Sequence, residues 1–153
     1  MSGPAATGPW GQPLDEYIPV PGTIFSMSLA IPLAHRSGFK LHVSVDPADA
    51  DELARLVLPT LRLLHVHHKV VQSQELYQWL SSRSQRGKFI TVYPGPAGPA
   101  QRVVDTLDPT LVARRFRRGP VPATRQSGHT THEVRVGQSG MISCYWCESY
   151  AED

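Results

Sequence analysis

Two basic residues of different chemistry, Lys40 and His42, stand two positions apart in the stretch Gly38-Phe39-Lys40-Leu41-His42-Val43-Ser44-Val45. Phe39, Leu41, Val43 and Val45 alternate with Lys40, His42 and Ser44, which is the pattern of a half-buried strand. Successive side chains of a strand point to opposite faces, so the lysine and the histidine become neighbours on one of them. Lysine is scarce here: Lys40, Lys69 and Lys88 are the only three, and arginine carries the rest of the positive charge. Arginine does not deprotonate in proteins. A lysine among other cations gives up its proton more readily and can serve as a base. Clustered cations also suit an anionic ligand, phosphate above all. Placing lysine at a few positions of an arginine-biased chain therefore has a chemical rationale. The plainer alternative is that three lysines are what a biased composition leaves over.

The elements that must hold these residues are legible in outline. A chain of 153 residues with 41% hydrophobic content has the size and apolar content for one core. A formal net charge of +2 gives no polyelectrolyte signature, so nucleic acid is not an expected partner. No apolar run is long enough to span a bilayer, and the N-terminus lacks a basic segment followed by an apolar one. The expectation is a cytoplasmic protein with no membrane partner. Residues 1–22, rich in Gly, Pro and Ala, read as an N-terminal arm whose Trp10, Tyr17 and Ile18 dock on the body, and residues 23–153 read as a single domain.

Thr23–Ala34 is apolar enough for a strand, confined by Pro32 to a sheet edge. Asp46 suits a helix N-cap and Pro47 the first helical position, and Leu53, Leu56, Val57, Leu61 and Leu64 recur at helical spacing. Pro59 predicts a kink or an end to that helix. His65–Val71 reads as a short strand, Ser73–Ser82 as a short helix with Leu76, Trp79 and Leu80 as its apolar face, and Gly87–Pro94 as a strand stopped by Pro94 and Gly95. Gly98–Phe116 reads as a helix interrupted near Asp108-Pro109, followed by short strands at Glu133–Val136 and Met141–Tyr145. Strands and helices mix without a strict βαβ period. The fold class expected is α+β, a small mixed or antiparallel sheet packed with helices.

Other polar groupings read more plainly. His65 and His67 share a strand face in this reading, but no third ligand stands nearby, so solvated or core histidines are expected rather than a metal site. Cys144 and Cys147 have the spacing of a redox motif, yet they follow a strand rather than opening a helix, and two packed thiols are expected. Ala113–Gly119, "ARRFRRG", is either a solvated helix end or a docking point for an acidic peptide.

Taken in order, "GFKLHVSV", an acidic-capped helix, "HHKVV" and "GKFITVYP" resemble the N-terminal lyase domain of class III lanthipeptide synthetases. That domain is itself similar to the bacterial effector phosphothreonine lyases. The resemblance covers about residues 36–137 and implies β-elimination of phosphate from phosphoserine or phosphothreonine, without metal or cofactor, to leave dehydroalanine or dehydrobutyrine. It assigns Lys69 as the base that removes the α-proton and His42 as the acid that protonates the departing phosphate. Lys40 becomes the cation that steadies negative charge on the substrate carbonyl. Arg135 resembles a phosphate-binding arginine, although the synthetases more often show Arg-Tyr-Gly there. Arg125 is a looser match of the same kind, either Arg83 or Arg86 matches the arginine upstream of "GKFITVYP", and Lys88 is a further candidate phosphate contact.

The synthetases continue into a kinase, whereas this sequence has no Gly-rich phosphate loop and no kinase catalytic-loop pattern. The expectation is a stand-alone lyase of a split pathway, of class V lanthipeptide or thioamitide type. It would act on a phosphorylated precursor peptide, with a separate Ser/Thr kinase and a peptide-binding protein as partners. The rival readings are a non-catalytic peptide-binding subunit and an effector-type lyase acting on a phosphoprotein.

Overall fold

The computed structural model describes residues 6–29, 31–82, 86–126 and 129–152, with the backbone alone described at 123–132 and 152. Along the chain the strands and helices are β1 (Tyr17–Pro19), β2 (Phe25–Ser28), β3 (Gly38–Val43), α1 (Ala50–Leu63), β4 (His68–Val71), α2 (Gln74–Leu80), β5 (Ile90–Gly95), α3 (Ala97–Arg114), β6 (Ala123–Gln126), β7 (His129–His132), β8 (Val134–Val136) and β9 (Ile142–Cys147). Seven strands form one sheet in the order β1-β2-β4-β5-β3-β9-β8, while β6 and β7 form a separate hairpin. Every pairing is antiparallel. This is an α+β fold. No helix among the described residues is long and apolar enough to cross a membrane.

β3 lies well inside the sheet, and its alternation decides what each face does. Leu41 and Val43 join Val70, Ile90, Val92 and Ile142 in a buried cluster with Leu53, Val57 and Leu61 of α1 and Val103, Leu107 and Leu111 of α3. Burial of this apolar face contributes about 25 cal/mol for each Å² removed from water, and it fixes the register of β3. A slip of one residue would send Lys40 and His42 into the helices. At the β4 end, Trp10 is 2% exposed, meets Phe89 edge-on at 5.1 Å and donates from Nε1 to the Val71 carbonyl at 2.7 Å.

Several local expectations change. Helix α1 runs through Pro59 and α3 through Pro109. Each proline faces solvent, so the carbonyl that lacks its helical N–H partner can bond water instead. Asp46 caps a 3₁₀ turn (Pro47–Asp49) leading into α1, its Oδ1 accepting from the Ala48 N–H at 2.9 Å. β2 is flanked by β1 and β4, so it is not an edge strand, and Pro32 lies beyond its end. β4 begins only at His68, because His65 adopts φ 54° in the turn after α1. β5 continues through Pro94 to Gly95, which faces Phe39 beyond a register shift in β3. On α2 it is Tyr77 and Leu80 that are buried, while Trp79 is 49% exposed.

Candidate active site

The face of the sheet turned away from the apolar cluster brings the predicted residues together. The register places Met27, Lys69, Thr91, His42, Ser143 and Arg135 opposite one another on β2, β4, β5, β3, β9 and β8. Lys40 lies one step along, opposite Tyr145. The ammonium groups of Lys40 and Lys69 flank one phenol ring, 5.2 and 5.8 Å from the centroid of Tyr93. Lys40 also lies 5.8 Å from the Tyr145 ring, and Lys69 lies 4.5 Å from the Phe25 ring. Three aromatic walls thus surround two lysines with weak cation–π attraction and little water.

That confinement controls the proton chemistry. Burial lowers the Lys40 ammonium to about 7, with Lys69 and Lys88 adding like-charge repulsion. Burial likewise lowers Lys69 to about 8, again with help from Lys88. Lys88 is itself lowered by burial. The three lysines therefore form one electrostatic group, in which desolvation is the leading effect on each.

His42 is 2% exposed and its Nδ1 lies 2.7 Å from both carboxylate oxygens of Glu133. Glu133 is also buried, and the Ser143 hydroxyl donates to its Oε1 at 2.9 Å. The carboxylate makes Nδ1 the donor and leaves Nε2 as the ring nitrogen available for chemistry. Burial holds the His42 imidazole down at about 4, against the opposing pull of Glu133. In the unliganded protein His42 is therefore neutral at pH 7, with Lys40 and Lys88 adding to the effect of burial and Glu133 opposing it. The Tyr145 ring stacks on His42, with centroids 6.2 Å apart.

Sequence reasoning missed Glu133, Ser143, Thr91, Tyr93 and Tyr145. A signal for Glu133 was present: it has the strand parity of Arg135, so the two share a face. Thr91 is fully buried between Lys69 and His42 in the register, and its hydroxyl has no hydrogen-bond partner among the described residues.

The expected phosphate contacts are placed less uniformly. Lys88 precedes β5 and is close enough to Lys40, His42 and Lys69 to perturb all three. Arg135 ends the row on β8 and is exposed. Arg86 is exposed in the turn before β5. Arg83 lies outside the described residues. Arg125 is on β6 opposite Thr130, and its side chain lies outside what is described.

Other groupings resolve as structure. His68 faces the other side of the sheet from Lys69: its Nδ1 donates to the Val66 carbonyl at 2.8 Å and its Nε2 accepts from the Tyr17 hydroxyl at 2.6 Å. His67 lies before β4 and donates from Nδ1 to the Ile31 carbonyl at 2.8 Å, so His65 and His67 do not share a strand face. Cys144 and Cys147 both belong to β9 and, three positions apart, point to opposite faces. Cys144 packs against the apolar cluster, and Cys147 sits with Tyr93, Tyr145 and Tyr150. Within "ARRFRRG", Arg115 forms the left-handed C-cap of α3 and Arg117 pairs with Asp49 at 3.3 Å.

Comparison with solved structures finds the same fold among bacterial effectors. The type III effector and phosphothreonine lyase OspF from Shigella flexneri superposes with a TM-score of 0.54 at 15% identity, over 86% of this chain and 69% of that one. The phosphothreonine lyase effector VirA (SpvC) of Chromobacterium violaceum gives 0.54 at 14% identity, over 84% and 63%. The Salmonella plasmid virulence C protein gives 0.55 at 12% identity, over 90% and 67%. The chain thus spans about two thirds of the length of these structures. No curated protein matches the sequence. The family described as RamC, N-terminal domain, matches residues 27–121, more than half of the sequence, and the chain belongs to that family.

Proposed function

We propose that this protein is a phosphoserine/phosphothreonine lyase that eliminates phosphate from a phosphorylated precursor peptide in a lanthipeptide-type pathway, with a separate Ser/Thr kinase supplying the phosphate. The observation that carries the reading is the co-facial set of Lys40, His42 and Lys69, with His42 backed by the buried Glu133. Binding phosphate alone calls for cations. It does not call for two depressed lysines beside a carboxylate-backed histidine.

In this mechanism Lys69 Nζ takes the α-proton. The C–H electron pair forms the Cα=Cβ bond, the Cβ–O bond breaks, and phosphate leaves with a proton from His42 Nε2. Lys40 accommodates the negative charge that builds on the neighbouring carbonyl. With a pKa of about 8, roughly a tenth of Lys69 is neutral at pH 7, against roughly four in ten thousand for an ordinary lysine. His42 must be charged in the same complex. The incoming phosphate dianion supplies a second negative charge, beside that of Glu133, and so opposes the effect of burial. Phosphate binding and protonation of His42 favour each other, and the acid is charged when its substrate is present. Lys88, Arg135, Arg125 and Arg83 or Arg86 are proposed to hold the phosphate. No step calls for a metal or cofactor, and a peptide-binding protein is the proposed further partner.

The test is incubation with a phosphothreonine peptide and mass spectrometry for loss of phosphoric acid. Elimination by the wild type that is lost in Lys69→Ala supports the reading. Equal behaviour of the two proteins refutes it. The fold shared with effector lyases favours a second reading, action on an intact phosphoprotein, which a folded phosphoprotein in the same assay separates from peptide maturation.

A further inference from the structure

A cavity of about 360 Å³ opens beside the lysine site, at the end of β5 where Tyr93 and Pro94 meet the start of α3. His35, His65, His67 and Arg102 line it, and none of its lining residues is an acid. Arg102 takes part in none of the ion pairs among the described residues. His67 already donates from Nδ1 to Ile31, so Nε2 is its remaining polar atom. Leu64 and Val103 supply an apolar part of the wall. A concave site with apolar walls, one guanidinium, three imidazoles and no acid is suited to an anionic side chain that brings some methylene with it.

Tyr93 joins this cavity to the lysines. Its ring lies 5.4 Å from that of His67 and 5.8 Å from Lys69 Nζ. The cavity wall therefore begins at Tyr93, 5.8 Å from the proposed base, and its His67 side lies within about 11 Å of that base, which an extended peptide covers in about three residues or fewer. Lys88, at the opposite end of β5, marks the phosphate end of the site. A peptide with its phosphate at the Lys88 end and its carbonyl at Lys40 runs on over Tyr93 towards the cavity.

We infer that this cavity is a substrate subsite for a glutamate or aspartate two to four residues from the phosphorylated position. The inference rests on the lyase reading for its substrate, but binding tests it separately from catalysis. Fluorescence anisotropy is measured with labelled phosphothreonine peptides carrying Glu or Gln, one position at a time, two to four residues to either side. At one position the Glu peptide binds about tenfold more tightly than its Gln twin, the scale of a charge-assisted contact. Arg102→Glu, an exposed helical position, and His65→Asn, which tolerates the positive φ at that turn, reduce the preference to within about twofold. In both variants affinity for the Gln peptide falls by less than affinity for the Glu peptide. Equal binding of Glu and Gln peptides at every position overturns the subsite, as does a preference that survives Arg102→Glu. A Glu preference without elimination of any peptide supports the subsite and removes the lyase reading.

Discussion

Glu133→Gln isolates the group that, in the proposed mechanism, makes His42 an acid rather than a merely buried histidine. The substitution keeps the shape and the hydrogen-bonding capacity near His42 Nδ1 and Ser143 Oγ but removes one negative charge. Opposite charges about 4 Å apart attract by about 4 kcal/mol at an effective dielectric of 20, which is about three pKa units. The amide of glutamine still accepts a hydrogen bond, so part of this stabilisation remains. The expected fall in the His42 pKa is about one to two units, and the charged imidazole in the substrate complex becomes about 10- to 100-fold rarer. The same fall is expected in kcat for phosphate release from a phosphothreonine peptide near pH 8. The deficit narrows as the pH is lowered towards 5.5, because acid restores the missing proton. Thermal unfolding should move by only a few degrees, since the weakened hydrogen bond to the neutral imidazole and the relieved burial of a carboxylate oppose each other. A variant as fast as wild type across this range refutes the acid role of His42. A loss of activity matched by loss of the folded state refutes the positioning role of Glu133.

Two further outcomes follow from the buried cations. Lys40→Met abolishes elimination yet stabilises the fold by about 1–4 kcal/mol at pH 7, because a packed apolar side chain replaces a desolvated amine. The ammonium is held at about 7 when folded and ionises at about 10.4 when unfolded, so wild-type stability rises with pH across that window. The advantage of the variant, read from urea midpoints, shrinks between pH 7 and 10, and a constant advantage contradicts this account. His42 and His68 are both held by burial at about 4, against about 6.5 in the unfolded chain. Their stabilisation is complete above pH 6.5 and is lost as the pH falls towards 4, by about 3 kcal/mol each. Urea unfolding at pH 7.5 and 4.5 measures it, and His68→Gln should remove about half of the loss. A wild type equally stable at both values rejects the assignment of two neutral buried histidines.

The sequence made β3 and the helix after it readable because period-2 and period-3.6 patterns are local. The kinship of Lys40 with His42 needed only parity. Lys69 joins them through the β4–β5 and β5–β3 registers, which no local pattern specifies, and only the family resemblance brought it in. The prolines do not end their helices, for a definable reason. A proline rule speaks of the missing N–H, while Pro59 and Pro109 sit on exposed faces where water can serve the affected carbonyls, so α1 and α3 continue. Glu133 stayed hidden because its partner is 91 residues away and because an acid before a strand has no distinctive local signature.

The energetics of the two faces of β3 explain why this sheet can carry such a site. Lys40 and His42 are among its least exposed side chains, at 0% and 2%, and each is displaced from its ordinary titration by desolvation. Such a face destabilises the fold when empty. The helix-packed face, with Leu41, Val43, Ile90, Val92 and Ile142 locked against α1 and α3, offsets that cost and also prevents the register slip that would relieve it. The same burial that weakens the fold keeps a fraction of Lys69 neutral, and in the proposed mechanism it is what the incoming dianion must oppose at His42. A stabilised variant that kept full activity by replacing Lys40 would break this link, because the cost to the fold and the reactivity of the site arise from one cause, the removal of water from three lysines and a histidine.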